Sequence, residues 1–533
     1  MDMKNVNNIY DIPADKFKLA NRSDTLHDKK LDTKPLTYFQ DAFRRFCKNK
    51  GAVVGGIVIS FLVLFAIIAP FFTPYTPADH DKMFAYVTPK LPIFEESGLD
   101  FWDGYKERTN VNYLSFMDDY ALGLEIGQDI IKNGEYTVSE DGTFYTYRYD
   151  TYHGVGFGKY KKLSMEEYLD IQEYQKETGR QVLYPIVHPN DRPTHIKNNE
   201  EAKYYYVMEN PNSATLRPKL DADGNIQVNY WKYKDGTTLS SLIVPYDSTR
   251  IEGEDGVQKN GDTYYYVYGM NLGGSVQVRT ERYEYYVYQQ ARANGSEPQD
   301  PIFIFGTTDE GKDIFACLAY GARFSFVFAL LVAVVNLVVG VIWGSISGYY
   351  GGKIDMAMER FVEILGAVPT MIVITLLKYH MGATSHVIVL FISFFATGWI
   401  GMAGRTRMQF YRFKNQEYVL TARTLGASDK RIMFKHIFPN AIGTLVTSCA
   451  LIIPSMIYSE TSLSYLGIIN LEAGETTSVG TLINAGQKAI IIPGAGYVAL
   501  FPCVFLVLLM LSFNLFGNGL RDAFNPSLRG TEE

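Results

Sequence analysis

The sequence predicts an all-α membrane protein of about six transmembrane helices, with an α+β domain inserted between the first helix and the second. Apolar residues make up 47% of the 533 residues, and they concentrate in six runs. A polar stretch, residues 81–300, separates the first run from the other five. Each run has about 18–25 residues, enough for a helix to cross a hydrocarbon core of roughly 30 Å. The runs lie at 52–73, 324–348, 363–381, 385–403, 441–466 and 494–516.

The first run is expected to stay in the mature protein as transmembrane helix 1, residues 51–75. The preceding segment, residues 1–50, is predicted to be cytoplasmic. The run is too long for a secretory signal peptide, and it lacks a small-residue cleavage pattern. Basic residues precede it directly, and positive charge beside a span favours the cytoplasmic side. These residues are Arg44, Arg45, Lys48 and Lys50.

Successive spans cross the membrane in opposite directions. Starting from a cytoplasmic N-terminal segment, this places loop 404–440 and the tail 519–533 in the cytoplasm and residues 76–323 mostly outside. The loop holds eight basic residues against Glu417 and Asp429, as expected of a cytoplasmic loop. The long polar stretch has 23 basic and 35 acidic residues, a net charge of −12, and long acidic segments can still be translocated. No basic patch with interleaved aromatic residues occurs, so nucleic acid is not an expected partner.

The polar stretch contains 27 of the 39 tyrosines. We predict that residues 76–304 form an inserted extracellular α+β domain. Segments rich in aromatic and β-branched residues predict strands, and the Asp-Gly and Asn-Gly pairs beside them predict tight turns. The predicted strands are 143–150, 228–233, 263–269 and 283–290.

One helix is predicted in this domain, at 164–179. Ser164 and Glu167 form a capping box at its start, and Gly179 is placed for a C-cap. The many tyrosines could bind a ligand, because each offers apolar area with a polar tip. The preferred interpretation is that they cover a twisted sheet.

Two patterns that could indicate ligand chemistry are rejected. His188 and His195 could bind a metal, but no further residue with ligand spacing accompanies them. GTTDEGKD, residues 306–313, nearly matches the phosphate-binding loop of ATPases, but Asp313 replaces the hydroxyl that would bind Mg²⁺. We therefore expect neither a metal site nor a nucleotide site in this chain.

The stretch 305–326 reads FGTTDEGKDIFACLAYGARFSF, and it resembles the signature FGTDxxGRDxxxRxxxGARxSL of permeases of the oligopeptide, dipeptide and nickel ABC importers. Within this family, the signature is typical of the second of the two permeases that pair in one importer. The resemblance covers 35–80 and 300–530, and it implies the type I ABC importer permease fold, with helices 2–6 in residues 305–518. Other matching segments are AFRRFCKNKGAVVG with APFFTPYTP, GYYGGKIDMAMERFVEILGAVPTM, ETSLSYLG and SFNLFGNGLRDAFNPSLR.

The basic loop contains YVLTARTLGASDKRIMFKHIFPN, which resembles the EAA loop YVEAARALGASxxxIxxxHILPN of these permeases. From the residues alone, two short amphipathic helices joined at Gly426 could lie flat on the membrane, and Pro439 would end the second. The resemblance implies docking into an ATPase subunit, although Leu420 replaces the family's glutamate. Contact with anionic lipid is the alternative. The expected coupling residues are Ala422, Arg423, Leu425, Gly426, Ala427, Ser428, Asp429, His436 and Pro439.

An ionisable residue, Glu460, lies inside the fifth predicted span. Because charged groups are costly in a membrane, Glu460 is a candidate for the translocation pathway. It could also face water outside or bond a neighbouring span.

The resemblance implies a permease subunit of an ATP-driven peptide importer in the bacterial plasma membrane. It would pair with a homologous second permease, bind two ATPase subunits, and receive substrate from an extracellular lipid-anchored binding protein. This chain is not expected to be an enzyme or to bind a cofactor, because ATP and Mg²⁺ belong to the partner ATPases. The alternatives are a permease for nickel or another small ligand, and a membrane-anchored surface receptor acting through the outer domain.

Overall fold

The computed structural model describes residues 38–95, 100–153, 160–185, 268–294, 300–381, 386–469 and 476–524, together with residue 471 and short pieces between 222 and 266. Among these residues, five helices are long and apolar enough to cross a membrane, and one bent helix pair would make a sixth span. A strand-containing region lies between the first and second of these helices. The predicted class, a helical membrane core with a mixed α and β region, is confirmed.

Two helices open the described part of the chain: α1, Tyr38–Lys48, and α2, Lys50–Ile68. The side chain of Asn49 caps α2 by accepting a hydrogen bond from the amide of Ala52 at 3.2 Å. A 3₁₀ turn, Ala69–Phe71, extends α2. The apolar helix therefore ends somewhat before the predicted boundary.

The α/β region, which we define as residues 82–303, contains four described helices and eleven described strands. The helices are α3 (Pro92–Glu95), α4 (Tyr113–Ile126), α5 (Met165–Thr178) and α6 (Arg282–Asn294). The strands are β1 (Tyr105–Asn112), β2 (Ile131–Val138), β3 (Phe144–Asp150), β4 (Tyr160–Leu163), β5 (Leu183–Tyr184), β6 (Lys232–Lys234), β7 (Leu242–Ile243), β8 (Arg250–Ile251), β9 (Tyr264–Tyr266), β10 (Gly269–Asn271) and β11 (Val276–Thr280).

The described strands pair antiparallel in three sheets. Their orders are β1-β3-β2, β4-β11-β10-β7 with β5 also paired to β11, and β6-β9-β8. The helices α5 and α6 pack against the second sheet through a buried core in which tyrosines are prominent. This packing fits the interpretation that the tyrosines cover a sheet. The core residues are Leu163, Tyr168, Ile171, Tyr174, Val182, Leu183, Val276, Val278, Tyr285 and Tyr288.

The helix predicted at 164–179 forms as α5. The side chain of Ser164 accepts a hydrogen bond from the amide of Glu167 at 3.0 Å, and Gly179 ends the helix with φ of +71°. The carboxylate of Glu167 accepts a hydrogen bond from the hydroxyl of Tyr285 at 2.5 Å. The side chain of Glu167 therefore joins α5 to α6.

The strand predicted at 283–290 is wrong, because these residues lie in α6. Both carboxylate oxygens of Glu281 accept hydrogen bonds at 2.7 Å, from the amides of Tyr283 and Glu284, and so cap the start of a helix. The tyrosines and valine of this segment have high β-propensity. Burial of one helical face against α5 and β11 overrides that propensity.

The other strand predictions agree better with the structure. The segment 143–150 contains β3, and 263–269 contains β9 and the start of β10. Only the end of 228–233 is described, and it belongs to β6. Gly142 of the predicted Asp141-Gly142 turn has φ of +72°. The turn pairs Asp223-Gly224, Asp235-Gly236 and Asn260-Gly261 and the histidines His188 and His195 lie outside the described residues.

The membrane core continues with ten described helices. They are α7 (Ile314–Tyr350), α8 (Gly352–Gly366), α9 (Thr370–Met381), α10 (His386–Gly398), α11 (Ile400–Phe413), α12 (Glu417–Thr424), α13 (Asp429–Arg431), α14 (Phe438–Tyr465), α15 (Val479–Ala489) and α16 (Tyr497–Phe524). A π-helical turn, Ile432–Ile437, joins α13 to α14. Helices α10 and α11 together form one candidate span.

The third predicted span, 363–381, is not one straight helix. It falls across α8 and α9, which are bent by 69° at a short break. Pro369 lies in this break, directly before α9. Because proline cannot donate a backbone hydrogen bond, it interrupts the helical ladder at this point.

Two contacts join the place where the chain leaves α2 to the place where it enters α7. The hydroxyl of Thr73 lies 3.3 Å from the carboxylate of Asp313, which also caps α7 by accepting from two amides of its first turn. The amide of Val87 donates to the hydroxyl of Thr307 at 2.8 Å, and the amide of Thr307 donates back to the carbonyl of Val87 at 2.9 Å. The two ends of the α/β region are therefore adjacent.

Candidate functional site

A short helix and a tight turn form the centre of loop 404–440. Helix α12 ends in a Schellman motif: the amide of Gly426 donates to the carbonyl of Arg423 at 3.0 Å, and that of Ala427 to the carbonyl of Ala422 at 3.1 Å. Gly426 has φ of +81°, and a Cβ there would meet nothing within 4 Å. Glycine is therefore needed for its backbone conformation rather than for space.

The inner face of this loop packs on the ends of two spans. Val419 of α12 and Ile432 and Ile437 of the π-helical turn are fully buried. They form one cluster with Phe410 of α11 and Tyr349 of α7. Because such a core is close-packed, a displacement of α12 must move the ends of α7 and α11 with it.

Tyr349 adds a polar link between the loop and α7. Its hydroxyl donates to a carboxylate oxygen of Asp429 at 2.6 Å. The guanidinium carbon of Arg423 lies 5.7 Å from the centre of the Tyr349 ring. Two of the predicted coupling residues, from either side of Gly426, thus contact the same tyrosine.

The outer face of the loop presents an apolar tip among positive charges. Leu425 is 82% exposed, and Leu420 and Phe434 are also exposed. A single exposed apolar side chain is ordinary on a protein surface, so the candidate contact is Leu425 together with the exposed Leu420 and Phe434 of the same loop. The basic side chains around it would suit an acidic protein surface or anionic lipid. These exposed basic residues are Arg423, Lys430, Arg431 and Lys435.

The second half of the loop differs from the prediction. Helix α13 continues through the π-helical turn into α14, so Asp429–Tyr465 is one continuous helix. The predicted separate helix closed by Pro439 is therefore wrong. Pro439 lies in the first turn of α14. A proline is tolerated there because the π-helical turn opens the hydrogen-bond ladder immediately before it.

The nine predicted coupling residues differ in exposure. Ala422 is buried, and Ala427 and His436 are half-buried. The remaining six are exposed: Arg423, Leu425, Gly426, Ser428, Asp429 and Pro439. Within the described residues, no group of three or more His, Cys, Asp or Glu side chains is placed to hold a metal ion.

A polar cluster beneath the loop was missed by the sequence analysis. Asp355 of α8 is only 6% exposed. It accepts two hydrogen bonds from Arg407 of α11, each at 2.6 Å, and one from the hydroxyl of Tyr411 at 2.6 Å. The hydroxyl of Ser347, at the end of α7, also donates to it. The cluster joins α7, α8 and α11. In the sequence, its two charged members, Asp355 and Arg407, each lie near the end of a predicted span.

A stripe of glycines holds α7 close to α11. Gly340, Gly344 and Gly348 recur every fourth residue and so lie on one face of α7. A Cβ on Gly344 would overlap the carbonyl oxygen of Ala403, and one on either neighbour would also overlap atoms of α11. Small residues at this spacing allow close helix packing in membranes. The spacing is visible in the sequence itself.

Glu460 lies far from the loop, roughly 30 Å beyond Pro439 at the helical rise of about 1.5 Å per residue. It is fully buried. Its carboxylate accepts hydrogen bonds from Ser325 of α7 at 3.0 Å and from Ser464 of α14 at 3.1 Å. These contacts match the alternative in which Glu460 bonds a neighbouring span, and its role in the pathway stays a prediction.

Comparisons with known proteins place similarities at both ends of the chain. A family model described as "Binding-protein-dependent transport system inner membrane component" matches residues 340–530. A second, "N-terminal TM domain of oligopeptide transport permease C", matches residues 37–89.

Two curated relatives come from Bacillus subtilis (strain 168). The "Oligopeptide transport system permease protein OppC" is 42% identical over 236 residues, which is 44% of this chain and 75% of that protein. The "Dipeptide transport system permease protein DppC" is 37% identical over 243 residues, 46% of this chain and 74% of that protein. Among solved structures, an inward-facing MetNI methionine ABC transporter chain aligns at 16% identity and a TM-score of 0.31, over 39% of this chain and 96% of that chain.

Proposed function

The chain belongs to the family of binding-protein-dependent transport system inner membrane components, and we propose that it is the permease subunit of an ATP-driven importer of oligopeptides or dipeptides. The peptide substrate is supported by the two relatives from Bacillus subtilis, which are named oligopeptide and dipeptide permeases. In this proposal the chain forms half of the translocation pathway beside a homologous second permease. Two ATPase subunits bind ATP and Mg²⁺, and a lipid-anchored binding protein delivers the peptide.

The main structural support for this proposal is the exposed tip of the loop at Leu425. Leu425 stands next to the Schellman turn at Gly426, on a loop whose inner face is packed against α7 and α11. When an ATPase surface that holds this tip moves, the spans would move with it, because the inner face of the loop is close-packed against them. Rigid-body movement of this kind is a recognised way to open and close a transport pathway.

Co-purification tests the docking. The tagged chain is extracted gently from native membranes, and Leu425→Glu is compared with wild type. We expect wild type to retain two ATPase subunits and the second permease, and the variant to lose the ATPases but keep the permease. Leu169→Glu is the matched control, because Leu169 is 52% exposed on α5 and far from the loop. Equal ATPase recovery with Leu425→Glu would contradict the proposal.

We also propose that both termini are cytoplasmic and that the α/β region is extracellular. The positive charges of loop 404–440 support this orientation. Single cysteines at Leu169 and Leu425, in a background without the four native cysteines, would report the two sides. A membrane-impermeant maleimide added to intact cells should label position 169 and not position 425, and the reverse pattern would refute the orientation.

A further inference from the structure

Aromatic rings join the α/β region to the end of a span. Trp102 stacks on Phe501 of α16, with ring centres 5.9 Å apart and planes 18° apart. Phe501 stacks in turn on Phe305 at 4.1 Å. The indole nitrogen of Trp102 donates to the carbonyl of Ile304 at 2.5 Å. Because Phe501 lies in the second turn of α16, these contacts place Trp102 at the level where the span ends.

The backbone of Trp102 is strained to allow this placement. Its φ is +56°, which is unusual for a bulky residue. The carbonyl of Trp102 accepts a hydrogen bond from the amide of Leu91 at 2.9 Å, which holds the conformation. Strain of this kind persists only where surrounding contacts fix it. The hydrogen bonds and ring contacts of Trp102 therefore hold its ring at the end of the span.

Two large apolar side chains beside Trp102 have no cover in the described chain. Ile93 of α3 is 78% exposed, and Phe101 is 57% exposed. Between them Phe94 packs edge-on against Phe101, with ring centres 6.0 Å apart, and also contacts Trp102. We call Ile93, Phe94, Phe101 and Trp102 the aromatic patch.

An exposed apolar stripe on α16 begins next to Phe501, the ring on which Trp102 stacks. Leu500 precedes Phe501, and it begins a stripe of exposed apolar residues along α16. Helix α2 packs on α16, and two more exposed rings lie just beyond the end of α2, Phe71 at 81% and Phe72 at 76%. Aromatic residues are enriched where membrane spans meet water. The stripe consists of Leu500, Val504, Val507 and Leu511.

A charged group borders the patch on its other side. Asp100 immediately precedes Phe101 and is largely exposed. Its carboxylate is bound by Lys132 at 2.9 Å and also by Arg148. The surface therefore changes from apolar rings to paired charges within one residue, as at the boundary between hydrocarbon and polar headgroups.

We infer that the aromatic patch inserts into the interfacial layer of the lipid bilayer and anchors the α/β region to the membrane beside α16. The region is then held by lipid as well as by the ends of the spans. This anchor does not depend on the substrate or on the side of the membrane that the region occupies.

Lipid-quenching fluorescence tests the anchor on the complete transport complex in nanodiscs. Single cysteines at Ile93, and separately at Phe72, are labelled with a nitrobenzoxadiazole dye in a background without native cysteines. Leu169 is the control position, exposed on α5 away from the spans. Lipids carrying a nitroxide near the headgroup should reduce fluorescence about twofold at positions 93 and 72, and hardly at 169.

Two results would overturn the anchor. Quenching of position 93 by aqueous iodide as strong as that of position 169 would place the patch in water. Protection of position 93 from both quenchers, with cross-linking to the second permease, would make the patch a protein interface instead. The Phe72 label is the positive control, because Phe72 directly follows a span. A label at Phe101, which is 57% exposed in the same patch, keeps the test valid if a cysteine at position 93 prevents folding.

Discussion

Arg407 donates from Nε and Nη2 to the two carboxylate oxygens of Asp355, each at 2.6 Å, across 52 positions of sequence. This two-point ion pair fixes α8 to α11 directly beneath the loop that is proposed to dock into the ATPase. A planar guanidinium can make both bonds at once, whereas an ammonium cannot.

Arg407→Lys should weaken the membrane core while leaving the chain able to fold. Asp355 is nearly buried and the Arg407 side chain is 30% exposed, so we expect a loss of about 1–3 kcal/mol, between the values for surface and buried pairs. A lower melting temperature in detergent would show it. Arg405→Lys, an exposed arginine on the same helix, should leave the melting temperature unchanged, and equal effects of the two changes would refute the prediction.

Gly344→Ala should disturb the contact between α7 and α11. The added Cβ would overlap the carbonyl oxygen of Ala403, and overpacking of this kind costs about 1–3 kcal/mol. Gly401→Ala is the matched control on α11, since a Cβ there meets nothing within 4 Å. Melting curves should show a destabilised Gly344 variant and a control at or slightly above wild type, because alanine has a higher helix propensity than glycine. Similar curves for both would mean that the helices are not in close contact.

Gly426→Ala should destabilise the turn after α12 by about 1–2 kcal/mol, because a residue with a Cβ resists the left-handed backbone conformation. Gly426→Asn should cost less, since asparagine tolerates that conformation better. Hydrogen exchange of the α12 amides, measured by mass spectrometry, should rise in the order wild type, Asn, Ala. If the Ala variant exchanged like wild type, the positive φ at this position would be disproved.

The stability of α6 should fall as pH rises. Burial raises the pKa of Glu281 to about 7, whereas in the unfolded chain it is about 4.3. The folded state therefore holds this proton more readily, so its stabilising contribution is complete below the unfolded pKa and is lost as pH rises through about 7. Burial lowers the pKa of His153, but its hydrogen bond to Asp150 and the negative charges of Asp150 and Glu281 together raise that pKa above its ordinary value. A raised histidine pKa also makes the folded state less stable as pH rises.

Hydrogen exchange of α6 at pH 5 and pH 8, corrected for the intrinsic exchange rate, measures this dependence. The loss at the higher pH should be at most about 3 kcal/mol, from about 1.4 kcal/mol for each unit of pKa shift. Glu281→Gln should retain only the pH dependence that comes from His153. A variant with the full pH dependence of wild type would show that Glu281 is not its source.

Features set by a few neighbouring residues could be predicted from the sequence. Helix α5 forms where Ser164 and Gly179 mark its ends, and Gly426 turns the chain as the spacing indicates. In contrast, the segment 283–290 has strong strand propensity and still becomes helical, because Glu281 caps it and its partners in the core lie more than one hundred residues earlier.

The exposed part of the candidate site could be predicted from the sequence, whereas the contacts that hold the loop on the helices beneath it could not. The sequence located the tip at Leu425 and the turn beside it, because these lie in one contiguous segment. It did not locate the Asp355–Arg407 pair or the contact of Tyr349 with Asp429. Those pairs depend on which helix ends meet in space, and one sequence does not specify that.

The contact between Thr73 and Asp313 joins residues 240 positions apart. With its two ends fixed side by side, the connection from α2 to α7 behaves as a closed loop whose closure entropy rises only with the logarithm of its length. Each doubling of such a loop costs about 0.6 kcal/mol. The α/β region can therefore be gained or lost at a small cost in loop-closure entropy, so permeases with very different inserted regions can share one set of membrane-spanning helices.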